Sequence, residues 1–283
     1  MHILITGANG QLGRQLVDVL QNNHTVASYG RDELDITDPE LTAHRIRNFH
    51  PDLIIHTAAL TKVDYCAENP EQALWINGYG TQHVAYAARE VDAALVYVST
   101  NEVFDGQNTD AYLEHDRANP INPYGYSKWV GEQTVMQLLQ KYFIVRVSWL
   151  FGHGGNNFVH TMRRLADEHD KLRVVVNEVA TPTYVNDFAD GLAQLINTRY
   201  YGIYHLVNEG RASRWAFARH ILDLSGYGDK EIERIAAAEF PRLSKPPEYA
   251  VLRNFAAARR GIVLRDWREA VEDFLQKEAA MSE

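Results

Sequence analysis

The sequence contains one cysteine, Cys66, in 283 residues, so no disulfide can form within the chain. This scarcity favours a reducing cytoplasm as the location of the protein. No apolar stretch reaches the length of a membrane span, and the N-terminus lacks the basic start and long apolar run of a signal peptide. An excess of basic residues is also missing. The formal net charge of −9 disfavours nucleic acid or an anionic membrane as a partner.

The residues that are present indicate a globular α/β protein. Hydrophobic residues make up 46% and charged residues 23% of the chain, which is ordinary for a globular protein. Apolar runs alternate with helical patterns in the first half: the predicted strands are 2–6, 25–29, 52–58, 94–100 and 143–150, and the predicted helices are 11–21, 39–49, 70–90 and 124–140. Because these strands are continuous apolar runs, we expect a Rossmann-like, doubly wound parallel sheet with helices on both faces.

The alternation loosens after about residue 150. Helices are predicted at 156–169, 185–197, 214–226 and 264–278, strands at 172–176 and 202–207, and an irregular proline-bearing segment at 240–254. We therefore expect residues 1–150, completed by about 178–206, to form an NAD(P)-binding Rossmann domain. Residues 151–177 and 207–283 would form a smaller C-terminal lobe that binds the substrate.

The stretch "ITGANGQLGRQL" places three glycines between the first strand and the first helix. Gly7 would allow the tight turn, Gly10 the close approach of a pyrophosphate, and Gly13 close packing of helix on sheet. The helix N-terminus then offers free N–H groups to the phosphates. An ordinary glycine-rich turn is the alternative, but the position directly after the first strand favours nucleotide binding.

The end of the second strand, Tyr29-Gly30-Arg31, carries no carboxylate that could hold the ribose hydroxyls of NAD. Arg31 could instead bind a 2′-phosphate, so NADPH is favoured over NADH as the cofactor. A solvated surface charge is the alternative role for Arg31. Asp35, in the following loop, would either flank the adenine or cap a turn.

The stretch "NPYGYSKWVGEQ" contains Tyr124 and Lys128 four residues apart, a spacing that places both on one face of a helix. A nearby ammonium can lower the pKa of the phenol and make Tyr124 a proton donor to a carbonyl that receives hydride. Thr100, at the end of the fourth strand, would hydrogen-bond the same oxygen. Tyr126 would point elsewhere.

At these residues the sequence resembles the dTDP-4-dehydrorhamnose reductase family of the extended short-chain dehydrogenase/reductases. The similarity extends over nearly the whole chain and includes "ILITGANGQLGRQL", "LDITDP", "HPDLIIHTAALTKVD", "NPYGYSK", "VRVSWLFG", "NNFVHTM" and "PTYVNDFA". It implies hydride transfer from NAD(P)H to C4 of a nucleotide-linked 4-keto-6-deoxyhexose, most specifically dTDP-4-dehydro-L-rhamnose. Tyr124 would be the proton donor, Lys128 would anchor the cofactor ribose, and Thr100 would complete the triad.

The resemblance also implies further contacts. The cofactor would touch Gly10, Gln11, Leu12, Asp35, Ile36, Ala59, Leu60 and Thr61, and Trp149 would pack on the sugar. Arg163 and Arg164 are candidate contacts of a substrate pyrophosphate. Some family members hold Mg²⁺ at a dimer contact, but Gln15 replaces the first-helix glutamate, so we expect no metal. A homodimer is left open.

Two other functions remain open, and the first is a related nucleotide-sugar dehydratase or epimerase. In related nucleotide-sugar dehydratases a Thr-Asp-Glu set follows the fourth strand, and its aspartic acid protonates the departing hydroxide. Here the set is Thr100-Asn101-Glu102, and an asparagine cannot supply that proton. We expect Asn101 to hydrogen-bond the substrate instead, and Glu102 has no assigned role. The second alternative is a cofactor-binding regulatory subunit without turnover, against which the intact Thr100, Tyr124 and Lys128 argue.

Overall fold

A six-stranded parallel sheet forms the centre of the computed structural model, which describes residues 1–282. Its strands, in chain order, are β1 (His2–Thr6), β2 (Thr25–Tyr29), β3 (Leu53–His56), β4 (Ala94–Thr100), β5 (Tyr142–Val147) and, after four shorter or peripheral strands, β10 (Gly202–His205). The spatial order is β2-β1-β3-β4-β5-β10, with every neighbouring pair parallel. The predicted Rossmann-like, doubly wound sheet is confirmed.

Helices cover both faces of this sheet. The α-helices of residues 1–282 are α1 (Gln11–Leu20), α2 (Pro39–Phe49), α3 (Val63–Glu68), α4 (Pro70–Leu74), α5 (Thr81–Glu90), α6 (Pro123–Leu138), α7 (Phe158–Glu168), α8 (Val185–Ile196), α9 (Arg214–Leu224), α10 (Phe255–Ala258) and α11 (Trp267–Ser282). Helix α1 packs against α8 on one face, and α5 packs between α2 and α6 on the other. The sheet is therefore buried on both sides, as its apolar strands require.

The starts of two of these helices follow directly from local sequence. The Asp38 carboxylate accepts hydrogen bonds from the amides of Glu40 and Leu41, and Pro39 occupies the first turn of α2. The same arrangement recurs at α6, where Asn122 caps the helix and Pro123 begins it. The predicted catalytic pair, Tyr124 and Lys128, lies on α6, so this cap fixes the helical turn in which Tyr124 lies.

The segment 70–90 is not the single helix that its pattern predicts. A π-helical turn, Trp75–Gly80, separates α4 from α5. The turn buries Asn77, whose amide accepts from the Leu60 amide at 2.8 Å and donates to the Leu60 carbonyl at 3.0 Å. Insertions of this kind often occur at functional sites. Here the turn holds the loop after β3 in place.

A second hydrophobic core lies in the C-terminal half. Its largest buried members are Phe151, Tyr184, Phe217, Trp267 and Phe274. Six further strands belong to this half: β6 (Leu150–Phe151) pairs with β9 (Thr183–Tyr184), β7 (Lys171–Val175) with β12 (Glu231–Ile235), and β8 (Val179–Ala180) with β11 (Ala212–Ser213).

The division of the chain into a Rossmann domain and a substrate lobe, residues 151–177 and 207–283, stays a prediction. Leu252, Ala257, Ile262 and Leu264, which follow the irregular segment, pack in the core around the central sheet. No helix within residues 1–282 is both long and apolar enough to cross a bilayer.

Candidate active site

A cleft of about 610 Å³ opens at the carboxyl ends of the central strands. In doubly wound folds this is the edge at which ligands bind. Apart from Arg163 and Arg164, the residues singled out from the sequence as cofactor, substrate or catalytic residues all line it: Gly7, Gly10, Gln11, Leu12, Gly13, Arg31, Asp35, Ile36, Ala59, Leu60, Thr61, Thr100, Asn101, Tyr124, Lys128 and Trp149. The fold therefore gathers into one cavity residues that are spread over half of the chain.

The glycine turn between β1 and α1 has the geometry that a phosphate site needs. Gly7 has φ +70°, a backbone conformation that residues with a side chain rarely adopt. A Cβ at Gly13 would collide with the Gly7 carbonyl. Gly10 is exposed and caps α1 without a side-chain hydrogen bond, so the first amides of the helix are free. These features fit the pyrophosphate of a dinucleotide.

A second glycine-rich segment, residues 152–155, lies against this turn. The Gln11 amide donates to the Gly152 carbonyl, and the Arg14 guanidinium donates to the Gly154 carbonyl. Gln11 was expected to touch the cofactor, and its side chain also anchors this second loop. The sequence alone does not connect this segment with the cofactor site, because its partners lie about 140 residues away.

The loop after β2 contains Arg31 and Asp35, the two charged residues that the sequence analysis assigned to the cofactor site. Arg31 and Asp35 form an exposed ion pair at 3.6 Å. Asp35 also accepts hydrogen bonds from the amide and hydroxyl of Thr37, and these bonds together with Arg31 lower the pKa of its carboxyl against the effect of burial. A carboxylate does reach the strand end, because Glu33 accepts from the Gly30 amide at 3.0 Å. Asp35 thus caps a turn, and the exposed Arg31 lines the cleft.

The three catalytic candidates converge at the middle of the cleft. Thr100 ends β4, while Tyr124 and Lys128 lie one turn apart on α6. Lys128 is buried, and its ammonium lies 4.1 Å from the centre of the Tyr97 ring, within cation–π range. Tyr126 is 47% exposed and points away from the cleft, as expected.

Burial, rather than the charge of Lys128, has the largest effect on the pKa of the Tyr124 phenol. Burial and the negative charge of Glu102 raise the pKa of Tyr124 above its ordinary value, and a hydrogen bond with Thr100 opposes them. Burial likewise lowers the pKa of Lys128 to about 7, with Glu132 acting in the opposite direction. The expected lowering of the phenol pKa is therefore absent from the protein alone. A half-buried phenol with a raised pKa keeps its proton and is suited to be an acid.

The turn after Thr100 places its two polar neighbours differently. The Asn101 amide is buried and donates to the Ala250 carbonyl at 3.2 Å, while its oxygen accepts from the Thr100 hydroxyl at 3.3 Å. Asn101 is thus held by the protein, although it lines the cleft, and it presents no acid. The Glu102 carboxylate also lines the cleft and accepts from the Asn122 amide at 2.7 Å.

Trp149 lines the cleft, and its ring contacts the first of two paired arginines that the sequence analysis did not single out. Trp149 has φ 43°, which is unusual for a bulky residue, and the Arg214 guanidinium lies 3.6 Å from the centre of its ring. Arg214 and Arg242 both form ion pairs with the buried Glu178.

Neither arginine carries a local signal in the sequence, since Arg214 follows a two-residue strand and Arg242 lies in the irregular segment. The basic pair suggested from the sequence lies elsewhere. Arg163 and Arg164 do not line the cleft, and Arg164 is 60% exposed and pairs with Glu168.

Two histidines share one carboxylate beside the second glycine loop. Glu278 of α11 contacts His153 Nδ1 at 2.5 Å and His160 Nε2 at 3.0 Å. His153 Nε2 also lies 2.9 Å from the Tyr184 hydroxyl. Across residues 1–282, no group of three or more histidine, cysteine, aspartate or glutamate side chains is arranged to hold a metal ion.

Comparison with known proteins places the whole chain in one family. A family model described as the RmlD substrate binding domain matches residues 1–280. The spore coat polysaccharide biosynthesis protein SpsK of Bacillus subtilis is 36% identical over 279 residues, which cover 98% of each chain.

Solved structures agree with this result. A dTDP-4-dehydrorhamnose reductase from Clostridium acetobutylicum has a TM-score of 0.96 and 39% identity, covering 99% of this chain and 100% of its own. The same enzyme from Bacillus anthracis, in complex with NADP, has a TM-score of 0.93 and 38% identity, covering 98% and 99%. The family predicted from the motifs is confirmed, and with it the class of NAD(P)H-dependent oxidoreductases. This protein belongs to the RmlD family, the family of the dTDP-4-dehydrorhamnose reductases.

Proposed function

We propose that this protein reduces the C4 ketone of dTDP-4-dehydro-L-rhamnose to give dTDP-L-rhamnose, with NADPH as the preferred reductant. The observation that carries this proposal is the convergence of Thr100, Tyr124 and Lys128 in the same cleft as the phosphate turn. Relatives that cover nearly the whole chain are dTDP-4-dehydrorhamnose reductases, which supports the choice of sugar.

The residues of the cleft fit a dinucleotide cofactor. The free amides at the start of α1 and the uncovered Gly10 would hold the pyrophosphate, and Arg31 would meet a 2′-phosphate. Lys128 would hold the ribose hydroxyls near the nicotinamide. When it is bound, the reduced nicotinamide supplies the hydride for the reduction.

Tyr124 would protonate the substrate oxygen as the ketone becomes an alcohol. Its raised pKa keeps the phenol protonated at neutral pH, which is the form that a proton donor requires. Thr100 would hydrogen-bond the same oxygen, because its hydroxyl lies beside Tyr124 and is oriented by the Glu102 amide at 3.2 Å. A buried Lys128 ammonium would stabilise the negative charge that develops on that oxygen.

The substrate would extend from this triad towards the C-terminal half. Trp149 offers an apolar face for the sugar, and Arg214 lies on that ring with its positive charge beside the cleft. Arginine suits a diphosphate because its planar group donates several hydrogen bonds at once. The neighbouring Arg242 shares Glu178 with Arg214, so the two positive charges belong to one cluster.

The dehydratase alternative is disfavoured by the environment of Asn101. Its amide is buried and already donates to the Ala250 carbonyl, and an amide cannot protonate a departing hydroxide as the aspartic acid of the dehydratases does.

The proton donor is tested with a matched pair of tyrosines on α6. For Tyr124→Phe we expect kcat with dTDP-4-dehydro-L-rhamnose and NADPH to fall about 10²–10⁴-fold, the range typical of a lost general acid, with little change in NADPH affinity. Tyr126→Phe is the control, because this exposed phenol lies two residues away on the same helix. A Tyr124→Phe enzyme with the wild-type rate would refute the role of Tyr124.

Cofactor preference is tested at Arg31. Arg31→Ala should raise KM for NADPH while leaving KM for NADH nearly unchanged, because only NADPH carries the 2′-phosphate. Arg47→Ala is a suitable control, since Arg47 is an exposed arginine paired with Glu90 outside the cleft. An unchanged ratio of the two KM values would exclude Arg31 as the phosphate contact.

A further inference from the structure

Glu102 lines the active-site cleft, yet the proposed reaction gives it no part. It lies in a short 3-10 turn, Asn101–Val103, directly after β4. One carboxylate oxygen accepts from the Asn122 amide at 2.7 Å. Its main-chain carbonyl lies so close to Gly125 that a Cβ there would collide with it. Both the side chain and the main chain of Glu102 therefore contact the start of α6.

These contacts lead directly to the proton donor. The Asn122 oxygen accepts from the Gly125 amide at 2.8 Å and caps α6, while its nitrogen donates to Glu102 and to the Lys245 carbonyl. Tyr124 lies in the first turn of the same helix. Glu102 thus fixes the orientation of the cap, and the cap fixes the turn that carries Tyr124.

The charge of Glu102 also acts on Tyr124. The pKa of the Glu102 carboxyl is raised overall, because burial outweighs the Asn122 amide and the cations Arg214 and Arg242, which favour its charged form. Asp64, on α3, opposes them. A negative charge beside the phenol disfavours the phenolate by Coulomb repulsion.

Two other groups face the phenol of Tyr124. Thr100 hydrogen-bonds it, and the Cys66 thiol is near enough to act on it electrostatically. Burial raises the pKa of Cys66 to about 11, so at neutral pH the thiol is uncharged and adds no negative charge. Glu102 is then the neighbouring anion that favours the protonated phenol.

We propose that Glu102 is a positioning residue for Tyr124: its carboxylate orients the Asn122 cap that places the phenol, and its charge keeps that phenol protonated for delivery to the substrate. This inference rests on the proposed function, in which Tyr124 is the proton donor. Glu102 exchanges no proton with the substrate. Its two effects, one geometric and one electrostatic, can be separated by substitution.

The experiment compares three variants. Glu102→Gln keeps an oxygen that can accept from Asn122 but removes the charge. Asn122→Ala removes the cap but keeps the charge. Glu40→Gln, on the exposed surface of α2, is the matched control for loss of one carboxylate. Circular dichroism and thermal melting would first select variants that fold like the wild type.

The measurement is the pH dependence of kcat with NADPH and dTDP-4-dehydro-L-rhamnose. In Glu102→Gln we expect the alkaline limb, where the donor loses its proton, to move to lower pH by about one unit. Asn122→Ala should lower kcat about 10-fold at every pH without moving that limb, because the phenol is misplaced but its charge environment is unchanged. A Glu102→Gln profile that coincides with that of the wild type would overturn the proposal.

A second readout does not need turnover. The phenol of Tyr124 can be titrated by NMR in the NADP⁺ complex of protein with ¹³C-labelled tyrosine, with its signal identified from the Tyr124→Phe spectrum. The Tyr124 signal should titrate at lower pH in Glu102→Gln than in the wild type. Equal titration midpoints would refute the electrostatic role of Glu102 even for an enzyme with a different substrate. Absence of any reduction by the wild type would instead refute the proposed function.

Discussion

The ion pair of Arg146 on β5 and Glu132 on α6 should be among the strongest determinants of stability. Their side chains are 3% and 0% exposed, and Arg146 donates to both carboxylate oxygens of Glu132, at 2.9 and 2.7 Å. The Ser99 hydroxyl donates to the same carboxylate at 2.5 Å. Removing one partner of such a buried pair leaves an uncompensated charge and typically costs about 3–5 kcal/mol. Replacing both partners by apolar residues of similar size is often near neutral.

We therefore expect Arg146→Met and Glu132→Leu each to lower the free energy of unfolding by about 3–5 kcal/mol. The double variant should lose less of its free energy of unfolding than either single variant. About 1 kcal/mol of its loss would come from the Ser99 hydroxyl, which no longer has an acceptor. Urea denaturation of the cofactor-free protein, followed by circular dichroism, gives the double-mutant cycle. Additive losses, with a coupling energy below about 0.5 kcal/mol, would show that the pair does not act as a unit.

The same pair has a functional consequence. Lys128 precedes Glu132 by one helical turn, and its pKa is already lowered to about 7 by burial, with Glu132 opposing the change. Glu132→Leu should lower this pKa further, so that Lys128 is largely uncharged at pH 7 and holds the cofactor less firmly. Arg146→Met should have the opposite effect on Lys128. NADPH affinities of the two variants between pH 6 and 9 would test this difference.

Three further predictions concern other parts of the molecule. Burial lowers the pKa of His56 to about 3 from an ordinary value near 6.5, so below about pH 6.5 the unfolded chain takes up a proton that the folded one does not. Stability should thus fall from pH 6.5 towards 3, and urea denaturation should show a weaker fall in His56→Gln. Gly13→Ala should reduce NADPH affinity at least about 10-fold in a fluorescence titration, since its Cβ would enter the phosphate turn, whereas Gly228→Ala, in open space, should not. Glu278→Gln should weaken NADPH binding a few-fold by loosening residues 152–155, and an unchanged affinity would show that this loop does not support the cofactor site.

Local sequence patterns predicted the residues whose roles depend on near neighbours. The turn at Gly7 and Gly10 lies between a strand and a helix, and the spacing of Tyr124 and Lys128 is a property of one helix. The carboxyl ends of parallel strands meet at one edge, so Thr100 could be placed beside them before any coordinates were known. These inferences need only secondary structure and strand order.

The remaining features depend on contacts that no local pattern contains. The π-helical turn at Asn77 exists because its side chain binds the main chain of Leu60, which interrupts an otherwise continuous helical pattern. Arg242 lies in an irregular segment and is linked to Arg214 through Glu178. The Glu102 carboxylate is explained only by Asn122, twenty residues away. Tertiary packing decides each of these cases, so a sequence pattern cannot indicate them.

At Trp149, the stability of the fold and the proposed contact with the sugar favour different residues. A non-glycine residue held at φ 43° carries a conformational cost of about 1–3 kcal/mol, which the surrounding fold must offset. A smaller residue that tolerates this conformation, such as glycine or asparagine, would relieve the strain but remove the ring beside Arg214. Laboratory evolution that selects only for heat resistance would therefore tend to replace Trp149, and under the proposed role of this ring the thermostable survivors would bind the sugar poorly.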